Sequence, residues 1–168
     1  MIIRPLGPVD AVAYQQLRLR ALEENPTAFS SSPADESGRS MEDVAERITP
    51  ATDESKCNFG AFIDAQLVGL LTVIRPMRVK RMHCVGLAGM VVASESRRHG
   101  VGGALLDAVI AHARTMHGVR QIKLSVTAGN TAARVLYMSR GFTCFGREPD
   151  ALFVDGSFHD EEFYMLRF

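Results

Sequence analysis

The segment Arg97–Gly103, which reads Arg-Arg-His-Gly-Val-Gly-Gly, constrains the fold of this 168-residue chain more than any other segment. It lies between a predicted apolar strand at 83–92 and a predicted helix at 101–116, whose apolar residues recur at helical spacing. Glycine allows positive φ angles and a close approach of ligand to backbone. The free N–H groups and partial positive charge at a helix start favour an anion such as phosphate. The segment therefore predicts a strand, a turn and a helix with an anion site at the turn.

Two common phosphate-binding patterns do not match these glycines. A P-loop requires a lysine directly after its last glycine, and no lysine follows Gly103. The dinucleotide fingerprint requires Gly-x-Gly-x-x-Gly, but counting from Gly100 its last position holds Leu105. Arg97 and Arg98 add positive charge for an anion at the turn. On the turn alone, a glycine-rich helix start that binds no ligand is the alternative.

A second pattern occupies residues 130–142. Asn130, Ala133 and Tyr137 are spaced three and four residues apart, so that a helix over 131–140 places them on one face. An N-cap, a packing alanine and a partly buried tyrosine would explain each residue separately. A helix face that carries an asparagine, a small residue and a tyrosine is nevertheless not expected to serve only for packing in the core.

The predicted elements follow the order βααβββαβαββ along the chain. The pattern predicts a strand at 2–4, a helix from 8 that ends before 26, a loop at 26–39, a helix at 40–48, strands at 57–64, 67–74 and 83–92, a helix at 101–116, a strand at 121–126, a helix at 131–140, and strands at 142–146 and 158–168. No linker divides the chain. We therefore predict one α/β domain over residues 1–168 with a mixed sheet.

Composition argues against several other classes of protein. Nineteen basic side chains balance nineteen acidic ones, which is unlike a dedicated nucleic-acid binder. No apolar run approaches the ~18 residues that span a bilayer, and the first residues lack the features of a signal peptide. We therefore expect a cytoplasmic protein without a membrane partner. The cysteines and histidines are too scattered to predict a metal site, and Cys84 and Cys144 are expected in the core.

The glycine turn resembles motif A of the GNAT N-acetyltransferase superfamily, which reads Arg/Gln-x-x-Gly-x-Gly/Ala. Here Arg97, Gly100 and Gly102 take those positions. In that family the loop amides hold the pyrophosphate of coenzyme A, and the preceding strand pairs through its backbone with the pantetheine arm. The resemblance implies acetyl-coenzyme A as the cosubstrate and no metal. The implied cofactor contacts come from strand and turn residues Met90, Val91, Val92, Arg97, Arg98, His99, Gly100, Val101, Gly102 and Gly103.

The pattern at 130–142 resembles the second GNAT signature, and the two signatures together cover about residues 82–145. In that family the asparagine contacts coenzyme A, the small residue leaves room for it, and the tyrosine lies near the thioester sulfur. The resemblance therefore implies cofactor contacts from Asn130, Ala133 and Tyr137. It also implies that Tyr137 is the general acid that protonates the departing thiolate. A phenol, with a pKa of about 10, is close in acidity to an alkyl thiol.

The resemblance also implies a fold and a reaction. The fold is a single α/β (α+β) domain, with a mixed, mostly antiparallel sheet of about seven strands flanked by four helices. The implied reaction is that of an acyltransferase: acetyl transfer to a primary amine, by direct attack in a ternary complex, with a small-molecule acceptor. Acetylation of protein N-termini or lysines, and a non-catalytic acyl-coenzyme A sensor, are the alternatives. Many family members pair through their C-terminal strands, which implies a homodimer.

The general base and the acceptor are less constrained. Residues 84–93 contain no acidic side chain, so His83 at the strand start is the catalytic candidate, with Glu95 or a water relay as alternatives. The stretch 148–162 contains acidic side chains and no Lys or Arg. It would attract a cationic amine, the alternative being a solvated loop. Phe29 is expected to line the acceptor pocket.

Overall fold

Seven strands form one mixed sheet in the computed structural model, which describes residues 1–168. The strands are β1 (Ile2–Pro5), β2 (Lys56–Ile63), β3 (Gln66–Ile74), β4 (Cys84–Val92), β5 (Gln121–Thr127), β6 (Thr143–Val154) and β7 (Ser157–Arg167). Their order in the sheet is β1-β2-β3-β4-β5-β7-β6. Only β4 and β5 run parallel, and all other neighbours are antiparallel. The predicted seven-stranded, mostly antiparallel sheet is confirmed.

Five helices accompany the sheet. They are α1 (Ala11–Glu24), α2 (Pro33–Ser37), α3 (Met41–Ile48), α4 (Val101–Thr115) and α5 (Thr131–Met138). Helix α2 has only five residues, and the other four match the four predicted helices. The longest, α4, buries Leu105, Leu106 and Val109 completely, as its apolar spacing predicts. None of the helices combines the length and apolarity needed to cross a membrane.

The two faces of the sheet carry different helices. A Cβ placed at Gly69 would stand 2.7 Å from Leu105 Cδ1, so this face of β3 packs against α4. Side chains alternate along a strand, so Thr72 points to the opposite face. There its hydroxyl donates to Asn58 Oδ1 at 2.8 Å, and the Asn58 amide donates to the carbonyl of Ile48 in α3 at 3.3 Å. Helices α3 and α4 therefore lie on opposite faces.

The predicted loop at 26–39 is partly helical, and the prediction is wrong for that part. A 3-10 turn covers 26–28, and α2 follows. The hydroxyl of Ser32 accepts from the Asp35 N–H at 3.4 Å, and the Asp35 carboxylate accepts from the Ser32 N–H at 2.7 Å. This capping box, with Pro33 at the first helical position, starts a helix despite the loop-like composition.

Strand β6 is longer than predicted. It continues well past the expected end at Gly146, although Pro149 lies within it. Proline is tolerated there because β6 is an edge strand, and the register with β7 shifts between Glu148 and Leu152. Cys144 is exposed on this strand, so its expected place in the core is wrong.

Candidate active site

The parallel strands β4 and β5 separate towards their C-terminal ends. Their pairing covers only 84–86 opposite 121–123, although both strands continue beyond it. On its other edge β4 stays paired with β3 as far as Val92. From Leu87 onward, the β4 edge that faces β5 therefore has no partner strand. Its N–H and C=O groups are available to an extended ligand, as at other open sheet edges.

A bulge in β4 lies at this opening. Leu70 and Thr72 of β3 pair with Val91 and Ala88, so that two residue steps on β3 oppose three on β4. Within the bulge Gly89 has a φ of +62°, which glycine adopts without the steric cost of a side chain. Bulges change the direction of backbone and side chains, and this one turns the strand beside the gap.

A cavity of about 540 Å³ lies between the glycine turn, α1 and α5. A volume of this size suits a small-molecule ligand. The cavity brings together most of the predicted cofactor residues: Met90, Val91, Val92, Arg97, Arg98, Gly100, Val101, Gly102, Gly103, Asn130 and Ala133. His99 is exposed on the turn and does not line this cavity.

The glycine turn presents a helix N-terminus to this cavity. Gly100 is the N-cap of α4, with a φ of +80°. Its carbonyl accepts the first helical hydrogen bond, from the Ala104 N–H at 3.0 Å. The N–H groups of residues 101–103 precede that bond and have no acceptor within the helix. Together with the helix dipole, they favour an anion at the cavity edge.

Gly102 stands where a side chain would intrude on the cavity. A Cβ there would lie 3.3 Å from both Leu136 Cδ2 and Met90 Cε, and 3.6 Å from Val92 Cγ2. All three of these side chains line the cavity. The absence of a side chain at Gly102 keeps the space beside the turn open, so the residues present fit a phosphate-bearing ligand that lies against the turn.

Arg97 and Arg98 supply positive charge at the edge of the cavity. The Arg97 Nε donates to the Val92 carbonyl at 3.1 Å, and its Nη2 lies 3.4 Å from Glu24 Oε2. These contacts hold Arg97 beside the end of β4. Arg98 is exposed, with a φ of +65°. Both residues line the cavity with the glycine turn, so their guanidinium groups add positive charge that an anion there could use.

Asn130 positions α5 against the cavity. Its Oδ1 accepts a hydrogen bond from the Ala133 N–H at 3.1 Å, which makes it the N-cap of α5. Asn130 and Ala133 also line the cavity. Asn130 can therefore act both as the N-cap of α5 and as a ligand contact, two roles that the sequence pattern alone leaves as alternatives.

Tyr137 lies in a second cavity of about 100 Å³, which shares Met90, Asn130 and Ala133 with the larger one. The side chain is buried, and its hydroxyl donates to Met90 Sδ at 3.3 Å. Burial raises the pKa of Tyr137 to about 12. The hydroxyl therefore stays protonated at neutral pH and presents a proton at the β4 bulge.

Comparison with known proteins gives a consistent result. Residues 19–142 match the family model described as the acetyltransferase (GNAT) family. The chain belongs to the GNAT acetyltransferase family. No curated protein sequence matches the chain significantly.

Solved structures of GNAT proteins share the fold along the full chain. A GNAT-family acetyltransferase from Streptococcus pneumoniae has 24% identity over 99% of each chain, with a TM-score of 0.88. A ribosomal-protein-alanine N-acetyltransferase from Brucella melitensis has 22% identity over 100% of each chain and a TM-score of 0.86. A phosphinothricin acetyltransferase from Sinorhizobium meliloti, solved with acetyl-coenzyme A, has 17% identity over 99% of this chain and 87% of its own, with a TM-score of 0.84. At these identities the likeness establishes the GNAT fold.

The structure places His83 far from both cavities. His83 is exposed and precedes β4, and a strand rises ~3.3 Å per residue, so it lies roughly 20 Å from Met90. Its carbonyl accepts from the Arg120 N–H at 2.8 Å, at the far end of the sheet. His83 lines neither cavity, so the predicted role of general base gains no support from the geometry.

Glu95 also lies outside both cavities. Its carboxylate forms an ion pair with Arg20 of α1 at 3.0 Å. A hydrogen bond from its own backbone N–H, and then the Arg20 guanidinium, hold the pKa of Glu95 below its ordinary value. A carboxylate of lowered basicity that is already paired is poorly suited to remove a proton from an amine.

The acidic stretch at 148–162 lies on β6, β7 and their hairpin. Two of its carboxylates are paired with arginines. Glu162 lies 2.9 Å from Arg134 Nε, and Asp160 lies 2.7 Å from Arg147 Nη2. Pairing reduces the negative charge that this stretch presents to a cationic acceptor, whose attraction stays a prediction.

No individual residue of α1 was predicted to line the larger cavity. Ala21 and Asn25, together with Ala28 and the predicted Phe29, line its wall. Asn25 is the C-cap of α1 and follows Ala21 by four residues, a spacing typical of one helix face. This spacing is the one sequence pattern that could have indicated a shared wall. Small residues on that face leave room for a ligand, but their types alone indicate no chemistry.

Proposed function

We propose that this protein is an acetyl-coenzyme A-dependent N-acetyltransferase that acetylates a primary amine on a small molecule. The observation that carries the proposal is the gap between β4 and β5. There the free N-terminus of α4, the unpaired edge of β4 and the Tyr137 hydroxyl all face two adjoining cavities.

The chain offers a separate contact for each part of the cosubstrate. Acetyl-coenzyme A supplies an activated acetyl thioester when it is bound. The N–H groups of 101–103 and the Arg98 guanidinium would hold its pyrophosphate. The free edge of β4 would hold its amide-rich arm, and a backbone N–H at Val91 or Val92 would donate to the acyl oxygen.

Tyr137 would act on the departing sulfur. Its hydroxyl is protonated at every pH below about 12, because burial disfavours the phenolate. A hydrogen bond from this hydroxyl strengthens as negative charge develops on the sulfur, and it delivers the proton as the thiol leaves. The rest of the rate enhancement comes from holding the two substrates together in a dry cavity.

The pH dependence of turnover follows from the composition of the cavity walls. No Asp, Glu or His side chain lines either cavity, so the acceptor amine must lose its proton to water. We expect kcat/KM to rise with the unprotonated fraction of the amine, with no decline until the pH approaches the pKa of Tyr137, about 12. Profiles for two amines of different pKa should therefore have different midpoints. One common midpoint for both amines would instead indicate a titrating side chain of the protein that acts as the base.

A thiol-release screen tests the proposed function. It would cover simple amines, polyamines, aminoglycosides, amino acids and peptides, each with acetyl-coenzyme A. We expect thiol release with at least one class of small amine. Release only with peptides would favour a protein acetyltransferase. Thermal stabilisation by acetyl-coenzyme A without thiol release in any class would favour a sensor.

We also propose a homodimer that forms through β6. This strand is an edge of the sheet, and Phe153 and Phe158 of the β6–β7 hairpin are 65% and 63% exposed. An open edge with exposed aromatic side chains favours association with a second copy. Light scattering should give the mass of a dimer, and replacing both phenylalanines by serine should give a monomer. A monomeric mass for the unaltered protein at assay concentrations would contradict the proposal.

A further inference from the structure

Arg18 of α1 is buried without a full set of partners. Its side chain is only 8% exposed, and its Nη1 has no hydrogen-bond partner. The Nη2 lies 3.8 Å from Glu36 Oε1, which is beyond hydrogen-bond distance. Burial lowers the pKa of Arg18, yet an arginine keeps its proton in proteins. A charged donor therefore stays unpaired in the interior, which costs stability unless a ligand satisfies it.

The nearest carboxylate is already occupied by other arginines. Glu36 accepts a hydrogen bond from Arg39 Nε at 2.8 Å and another from Arg47 Nη1. Burial opposes ionisation of Glu36, but these two hydrogen bonds, together with the charges of Arg47 and Arg18, hold its pKa below the ordinary value. Arg18 therefore adds a third positive charge near Glu36 without a hydrogen bond to it, and its Nη1 remains free for another acceptor.

The unpaired donor lies directly behind the wall of the smaller cavity. A Cβ placed at Gly89 would stand 3.8 Å from Arg18 Nη1 and 4.0 Å from Thr72 Oγ1. The Arg18 guanidinium also stacks on Phe29, with its carbon 4.8 Å from the ring centroid. Gly89 and Phe29 both line the cavity that contains Tyr137. A ligand group that passes the bare Gly89 position, or displaces the Phe29 ring, reaches Nη1.

Arg18 and Tyr137 approach the same bulge from opposite faces of the sheet. The Met90 side chain lies on the α4 face, because its Cε would contact a Cβ at Gly102, and Tyr137 donates to its sulfur. Arg18 lies beside Thr72, on the face that carries α3. The gap between β4 and β5 separates the two groups. An acceptor in the smaller cavity could thus contact Tyr137 on one side and, past Gly89 or the Phe29 ring, Arg18 on the other.

We propose that Arg18 binds a carboxylate of the acceptor, so that the acceptor is an amino acid or another amine that carries a carboxylate. This inference rests on the proposed function. A guanidinium binds a carboxylate with charge-assisted hydrogen bonds, which are stronger than neutral ones in a desolvated site. Its positive charge also favours the unprotonated form of a nearby amine, which is the form that attacks. Arg18 is a specificity-determining residue in this scheme.

Matched sets of acceptors test this inference. Each set contains an amino acid, its carboxamide and the amine that lacks the carboxylate. We measure thiol release and acetylated product for each, and we measure acceptor binding to the enzyme–coenzyme A complex by calorimetry. For the unaltered enzyme, we expect the amino acid to be preferred by about 100-fold or more in kcat/KM. In Arg18→Gln this preference should fall to near one, and calorimetric binding of the carboxylate should be lost.

Two variants serve as controls. Arg39→Gln removes another partner of Glu36 but is exposed on the outer side, so we expect it to keep the carboxylate preference. Arg18→Lys keeps the positive charge but lacks the planar guanidinium group. It should therefore retain part of the carboxylate preference. If Arg18→Gln does not fold, the test rests on the carboxylate preference of the unaltered enzyme and on that of Arg18→Lys.

Three outcomes contradict the inference in distinguishable ways. Equal turnover of amino acids, carboxamides and simple amines would overturn the role of Arg18 and leave the proposed acetyltransferase intact. No turnover of any amine in the matched sets would overturn the inference, and no turnover in the wider screen of amines would contradict the proposed function as well. A loss of preference in Arg39→Gln as large as in Arg18→Gln would indicate that the whole arginine cluster supports the fold rather than Arg18 binding the acceptor.

Discussion

Replacement of Tyr137 by phenylalanine is expected to lower kcat by about 100-fold or more, because the hydroxyl that would protonate the departing sulfur is lost. The ring should stay in place, since it is buried and its centroid lies 5.8 Å from that of Phe142. The affinity for acetyl-coenzyme A should therefore change little. Steady-state kinetics and calorimetry on the same preparation separate the two quantities.

Tyr14→Phe is the matched control for this variant. Tyr14 is as buried as Tyr137, and burial likewise raises its pKa, but it lines neither cavity. Its replacement should leave kcat unchanged. If Tyr137→Phe also turns over at the unaltered rate, Tyr137 is not the acid, and water or the acceptor must protonate the leaving sulfur.

Gly102→Val is expected to raise the Kd for acetyl-coenzyme A by about 100-fold or more. A Cβ at this position already lies within 3.3 Å of Leu136 and Met90, so the two added methyl groups must occupy the space beside the turn. The loss would remove much of the stabilisation that a ligand gives, about 2.7 kcal/mol at a concentration 100-fold above Kd. The readout is the shift in Tm on adding acetyl-coenzyme A.

Gly38→Val separates the loss of the cavity from the general cost of replacing glycine. Nothing lies within 4 Å of a Cβ at Gly38, and its φ of −83° suits any residue. The control should keep the full Tm shift. The Tm of each unliganded variant shows how much of the change belongs to folding. A ligand-induced shift in Gly102→Val equal to that of the unaltered protein would contradict the placement of the cofactor against the turn.

Sequence alone predicted the centre of this fold well, because local signals there agree with the tertiary structure. The apolar strand β4, the glycine turn and the amphipathic helix α4 each have a short-range pattern, and a left-handed Gly100 joins them. The capping Asn130 likewise marks the start of α5, whereas the helix ends at Met138, two residues before the predicted end, and Gly141 lies in the turn that follows. These features lie within a few residues of one another, so periodicity and turn chemistry suffice.

The remaining site residues depend on contacts between distant parts of the chain. His83 and Met90 are near in sequence, but an extended strand carries them to opposite ends of the sheet. Arg18 and Gly89 are far apart in sequence, and only the packing of α1 on the sheet brings them together. No local pattern distinguishes a buried unpaired arginine from a surface one. The free edge of β4 likewise has no local pattern, because it arises where β5 separates from it, and only the family resemblance implied it.

Quantitative product analysis tests the central claim most directly. The purified protein would be incubated with acetyl-coenzyme A and the best amine from the screen, and free coenzyme A and N-acetylated amine would be measured together by mass spectrometry. The account predicts that the two products form in equal molar amounts at a rate that depends on the concentrations of both substrates. Free coenzyme A without acetylated amine, or a Tm raised by acetyl-coenzyme A with neither product, would contradict it.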